Sequence, residues 1–186
     1  MSVQNLKNPL TKNYLDYKNY VLAEGNIPWF TKHRTHFYSE NERENQPKDI
    51  FYFSHTIVDR PYQETPYKYP VPKIDSYLFE QTYKIFKEIL DFNNIPLNVV
   101  YRLNINLTPH QTLKKSISHT DLPFSHNVLI LYFTTTSGKT YIEINNKQHI
   151  SSAEEDKIII FNGEYNHFQG TPKIDENRIV LVANYI

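Results

Sequence analysis

Residues 128–150, VLILYFTTTSGKTYIEINNKQHI, decide how this chain folds. Val128 to Thr134 is an unbroken aliphatic and aromatic run, the composition of a strand covered on both faces. Ser137-Gly138 reads as a turn, Thr140 to Ile144 as a second strand, and Asn145-Asn146 as a tight hairpin leading into a strand through His149. Moving toward the C-terminus, Lys157 to Phe161 is a further strand, closed by the turn signal Asn162-Gly163. A short run follows around His167, and Arg178 to Tyr185 ends the series. Moving toward the N-terminus, a short run lies at His119 and a long one at Asn98 to Leu107. About eight short strands in one block predict a mainly β, two-sheet jelly roll.

The first half of the chain reads as support for that block. Lys12 to Ala23 suits a short helix, Ile27-Pro28-Trp29-Phe30 an apolar anchor, and Thr31 to Lys48 a charged surface loop. Asp49 to Val58 is dense in β-formers and predicts a strand. Arg60 to Lys73, rich in Pro and Tyr, favours an extended connection. The clearest helix begins at Asp75 or Ser76, either of which can cap it, carries Leu78, Thr82, Ile85, Phe86, Ile89 and Leu90 on one face, and stops near Asn93-Asn94 before Pro96. A single domain, residues 1–186, is expected, with 1–96 as an N-terminal extension and 97–186 as the jelly-roll core.

Composition narrows the function. Twenty basic residues balance twenty acidic ones, so no long-range field pulls the chain onto nucleic acid or an anionic membrane. The absence of cysteine removes disulfides, thiolate metal sites and cysteine nucleophiles, so a metal here must use His and carboxylate. The N-terminus lacks the apolar core of a secretion signal, and no apolar run approaches the roughly 18 residues of a membrane span. A cytoplasmic location is the expectation.

His119-Thr120-Asp121 is the triplet with metal chemistry in it. In an extended segment, residues two apart face the same side with Cα atoms roughly 7 Å apart, so both side chains reach one ion. A third ligand must come from a distant strand; His167 is the best placed, following a strand and a turn. Two imidazoles and a carboxylate hold a non-haem ferrous ion on one face and leave the other open. Arg178 heads a buried strand, where an unpaired guanidinium is costly, so an anion is expected to meet it. Singly, each residue has a plainer reading: His119 as a loop cap, Asp121 as the start of a turn before Pro123, His167 at a strand edge, Arg178 as a surface charge. The other histidines are weaker ligands: His33 and His36 in a polar loop, His55 in a strand, His110 in a loop, His149 in a hairpin, and His126 close enough to His119 in sequence to compete.

From Leu97 to Tyr185 the chain resembles the 2-oxoglutarate and Fe(II) oxygenase superfamily, and within it small proteins encoded by tailed bacteriophages. The matching stretches are Arg102 to Pro109, His119-Thr-Asp121, Leu129 to Phe133, Ile158 to Gly163, His167 and Arg178 to Tyr185. Earlier, Ile27 to Phe30 and Ile50 to His55 also match. The resemblance implies a cupin-like double-stranded β-helix, Fe(II) on His119, Asp121 and His167, 2-oxoglutarate clamped through its distal carboxylate by Arg178, and ascorbate as a reductant. It implies hydroxylation of a substrate with O2, releasing succinate and CO2. Asn106 and Thr108 stand where AlkB-type relatives carry an Asn-x-Tyr pair that contacts the co-substrate; Thr108 lacks the phenol, and Tyr101 and Tyr132 are candidate substitutes.

The substrate is less legible. Zero net charge favours a protein or peptide, as in prolyl hydroxylase-like relatives, over a nucleobase. A nucleobase enzyme predicts Lys114, Lys115 and Arg102 clustered on the iron-facing rim. Thr108 to Ser118 reads equally as a lid or as a solvated loop, and Tyr62, Tyr67 and Tyr69 as a peptide grip or as loop packing. A cupin-like binding module without catalysis is the alternative of a different class.

Overall fold

A computed structural model describes residues 2–33, 48–59 and 72–186. His36, the tyrosines at 62, 67 and 69, and most of the expected 31–48 loop lie outside the described residues. The elements run β1 (Gln4–Leu6), α1 (Lys12–Leu22), β2 (Phe30–Lys32), β3 (Tyr52–Asp59), β4 (Lys73–Ile74), α2 (Phe79–Phe92), β5 (Val100–Pro109), β6 (Asn127–Tyr132), β7 (Thr136–Ile144), β8 (Lys147–Ala153), β9 (Ile158–Asn162), β10 (His167–Gln169) and β11 (Asn177–Tyr185).

The strands form two sheets of unequal size. The larger is ordered β1-β9-β6-β11-β5-β3-β2, with β4 added on β3, and the smaller is β10-β7-β8. All strand pairings among the described residues are antiparallel. Strands from the first 96 residues therefore extend the larger sheet on both sides, β1 beyond β9 and β3 beyond β5. Residues 115–119 lie beside β10 through bridges Lys115 to Gly170 and His119 to His167, and so widen the smaller sheet. This is a jelly roll.

Each face of the larger sheet buries a different set of side chains, as a period of two requires. Leu103, Ile105, Leu129, Leu131, Ile158, Ile160, Leu181 and Ala183 face the helices, meeting Ile85, Phe86, Ile89 and Leu90 of α2 and Tyr14, Tyr17 and Val21 of α1. Val128, Ile130, Tyr132, Ile159, Phe161, Val180 and Val182 face the smaller sheet, meeting Ile142 and Ala153. With both faces covered, β6, β9 and β11 read as continuous apolar runs. No helix among the described residues is long and apolar enough to cross a membrane.

Three local expectations need correction. Ser137-Gly138 is no turn: both residues lie within β7, which starts at Thr136 and carries a register shift against β8 before Thr140. A Cβ on Gly138 would stand 2.9 Å from the Gly170 carbonyl oxygen and 3.1 Å from Arg178 Cδ, so this glycine permits a close approach instead. The helix α2 starts at Phe79, later than Asp75 or Ser76; Ser76 Oγ accepts the Leu78 N–H (3.0 Å) just ahead of it, and Leu78 at the cap position carries no side-chain cap. The 108–118 segment is a loop only in its middle, residues 110–114, which are irregular and mostly exposed. Thr108 and Pro109 end β5, and Ser116 N–H donates to the Gln169 carbonyl while Ser116 Oγ accepts the Gln169 N–H. Asn145-Asn146, by contrast, is the expected hairpin turn, both residues at positive φ (49° and 61°).

Candidate metal centre

His119 and His167 are placed by the backbone. Each donates its N–H to the other's carbonyl oxygen, at 3.1 and 2.9 Å, so the two residues sit directly opposite one another across an antiparallel bridge. Their rings are 4.8 Å apart between centroids. Asp121, two residues beyond His119, lies in the bend that leaves the bridge and is almost fully buried. The ligand atoms of the three side chains all lie within 4.8 Å of one another. His167 Nε2 is 3.6 Å from Asp121 Oδ2 and His119 Nε2 is 3.9 Å from Asp121 Oδ1.

Hydrogen bonds fix which ring nitrogen faces inward. Nδ1 of His119 donates to the Ile117 carbonyl (3.0 Å) and Nδ1 of His167 to the Tyr165 carbonyl (3.1 Å), leaving both Nε2 atoms as lone-pair donors toward Asp121. Burial, with His167 alongside, lowers the His119 pKa to about 4. Burial alone would raise the Asp121 pKa, yet the Arg102 guanidinium and the two imidazoles hold it well below the ordinary carboxylate range. Arg102 Nη1 donates to Asp121 Oδ1 (2.7 Å), and Asn184 Nδ2 donates to Oδ2 (2.9 Å). An imidazole at His119 that resists protonation, beside an ionised carboxylate, is what a divalent cation requires of its ligands.

The triad opens on a cavity of about 60 Å³ whose walls include Tyr52, Asn106, Ile130, Val180, Val182, Gln169 and Arg178. Pockets for drug-sized ligands run to several hundred Å³, so this one suits a small molecule. Arg178 is 2% exposed. Its Nη1 donates to Gln169 Oε1 (2.6 Å), its Nη2 to Thr140 Oγ1 (2.8 Å), and its guanidinium lies over the Tyr132 ring at 5.4 Å. No carboxylate among the described residues pairs with it, its buried Nε has no hydrogen-bond partner, and burial lowers its pKa. A guanidinium buried in this way has the charge and the donors to pair with an anion in the cavity.

The other expected residues divide by position. Asn106 lines the cavity and accepts the Asn104 amide (2.8 Å). Thr108 and Tyr132 sit behind the wall: Thr108 Oγ1 donates to Gln169 Oε1 (3.3 Å) and the Tyr132 hydroxyl to Thr140 Oγ1 (2.7 Å), so both steady partners of Arg178. Tyr101 packs edge-on against Phe124. Tyr52, on β3, is the tyrosine in the wall, and no signal in its own stretch of sequence pointed there. His126 is buried against Gly163, with Nδ1 donating to the Phe124 carbonyl, and does not join the triad. His55 bonds Pro28 and Ser76, and His110 bonds Pro172.

No family model and no curated protein matches the sequence. Solved structures do match the fold. An oxidoreductase of the 2OG-Fe(II) oxygenase family from Burkholderia pseudomallei aligns at TM-score 0.64 and 11% identity, over 92% of this chain and 76% of its own. A prolyl hydroxylase from Trichoplax adhaerens, in complex with a peptide fragment of hypoxia inducible factor, aligns at 0.61 and 13%, over 99% and 83%. The chain has the fold of the 2OG-Fe(II) oxygenases. The same double-stranded β-helix is shared by the epimerase SnoN in complex with Fe3+, alpha ketoglutarate and nogalamycin RO, at TM-score 0.56 and 10% identity, over 99% and 78%. At such identities the likeness is one of architecture, and the chemistry must be argued from the side chains.

Proposed function

We propose that the protein is an Fe(II)- and 2-oxoglutarate-dependent dioxygenase that hydroxylates a protein or peptide side chain and releases succinate and CO2. One observation carries this reading: His119, Asp121 and His167 converge on a small cavity that also receives a buried guanidinium, Arg178, with no acidic partner among the described residues. The donor set fits a ferrous ion, with two imidazole nitrogens, one carboxylate and no thiolate. When bound, the ion and the oxo acid supply the oxidation, coupling decarboxylation of 2-oxoglutarate to hydroxylation of a substrate C–H bond with O2.

The chain's own residues do the holding. His119, Asp121 and His167 bind the ion, kept in register by the Nδ1 hydrogen bonds to Ile117 and Tyr165. Arg178, set by Gln169 and Thr140, holds the distal carboxylate through charge-assisted hydrogen bonds, and Asn106 and Tyr52 supply polar wall. Thr108 and Tyr132 act one step removed, through Gln169 and Thr140. Val180, Val182 and Ile130 keep the space between dry.

A peptide substrate is favoured over a nucleobase by what the candidate cations do. Of the three cations that a nucleobase enzyme would cluster on the rim, Arg102 is instead turned inward onto Asp121. The test is succinate release from 2-oxoglutarate supplied with Fe(II) and ascorbate, with and without peptide libraries. His119→Ala and Asp121→Ala are expected to abolish it. Absence of succinate from the wild type, or its persistence in the His119 variant, overturns the assignment in favour of a binding module or another centre.

A further inference from the structure

Both oxygens of the Asp121 carboxylate are held by donors that are not candidate ligands. Arg102 Nη1 meets Oδ1 at 2.7 Å and Asn184 Nδ2 meets Oδ2 at 2.9 Å. The two donors face each other across the sheet, since Asn184 of β11 pairs in register with Arg102 of β5. A register shift follows immediately, between Asn184 and Tyr185. Such a bulge re-aims neighbouring side chains at the rim of a sheet. The Arg102–Asp121 pair is largely dry, the two side chains being 12% and 3% exposed. Arg178 lies six residues from Asn184 along β11, roughly 20 Å of strand, opposite Thr108. The cavity therefore has two guanidiniums at separate levels: one lacks an acid, and the other is committed to the candidate ligand.

We propose that Arg102 is a positioning residue that keeps Asp121 from turning both oxygens onto the bound ion, and so preserves the coordination position that the co-substrate needs. The inference rests on the metal reading above. A carboxylate left without its charged donor is able to rotate and chelate through two oxygens, and a centre that loses a cation neighbour also repels the dianionic 2-oxoglutarate more strongly. Both effects act in the same direction, weakening the co-substrate while leaving the ion in place. Removing partners of metal-ligating groups typically changes affinity or activity by about 10–100-fold.

Co(II) as a probe ion tests this without turnover. Arg102→Met is expected to bind Co(II) at least as tightly as the wild type, to show an altered visible absorption band, and to bind 2-oxoglutarate about tenfold more weakly by calorimetry. Arg102→Lys, which keeps a cation in reach of Oδ1, should restore most of that affinity, and a merely structural role would give no such rescue. Should the Met variant fail to fold, Arg102→Gln, too short to reach Oδ1 from β5, is expected to show the same loss. An unchanged band together with unchanged 2-oxoglutarate affinity in the neutral variant overturns the positioning role alone. Failure of the wild type to bind Co(II), with His119→Ala as the reference, overturns the metal reading instead.

Discussion

Burial and the neighbouring His167 depress the His119 pKa from 6.5 to about 4, which ties the fold's stability to acidity. In the unfolded chain the imidazole takes a proton near 6.5, and in the folded protein only near 4. Between these values the unfolded state binds more protons, so the contribution is fully present above about 6.5 and is lost as pH falls toward 4. It amounts to about 3 kcal/mol. The thermal midpoint of the metal-free protein should fall over that window, and His119→Gln should flatten the slope; an equal slope in both proteins contradicts the assignment. Arg178 carries a second expectation. Arg178→Met keeps the apolar packing over Tyr132 but removes the donors to Gln169 and Thr140, and should weaken 2-oxoglutarate about 100-fold with metal affinity within about twofold. Calorimetry on both ligands measures the separation. His-x-Asp was legible in the sequence because its two candidate ligands are near neighbours on the chain, and Arg178 because a charge at the head of an apolar run needs a reason. The Asp121 clamp was hidden, since its donors are 19 and 63 residues away and look like ordinary strand residues.

Apolar runs placed the strands well, because β6, β9 and β11 are covered on both faces and their composition says so. Glycines misled in one place. Ser137-Gly138 has the look of a turn, yet Gly138 lies inside β7 because the Gly170 backbone and the Arg178 stem pass too close for a side chain. The asymmetry is informative: only the tertiary approach distinguishes a turn glycine from one that makes room. Gly138→Ala should push on Arg178 from behind and raise the 2-oxoglutarate dissociation constant several-fold, with Co(II) binding unchanged. Equal affinity in the alanine variant shows that the 3.1 Å contact relaxes at no cost. The α2 start was misplaced for a related reason. Ser76 Oγ has a second engagement, 2.7 Å from His55 Nε2, so a capping residue in sequence became a link between the helix approach and β3.

Taken together, the two sheets enclose the cavity and the helices close only the outer face of the larger one. Strand count and the apolar pattern sufficed to predict this jelly roll. The edge strand β1 was beyond reach of pattern, since it is three residues long and is decided by its pairing with distant β9, whereas the short run expected around His167 is β10, with only its pairing to β7 left to the fold. The reciprocal backbone bonds between His119 and His167 have a consequence for how the centre behaves when empty. Spacing between the imidazoles is set by main-chain atoms, so a chelator should strip the ion and leave the pair standing. In deuterium oxide, the amide protons of His119 and His167 are expected to exchange about as slowly before chelation as after it, whereas a centre assembled by its ion would release both at once.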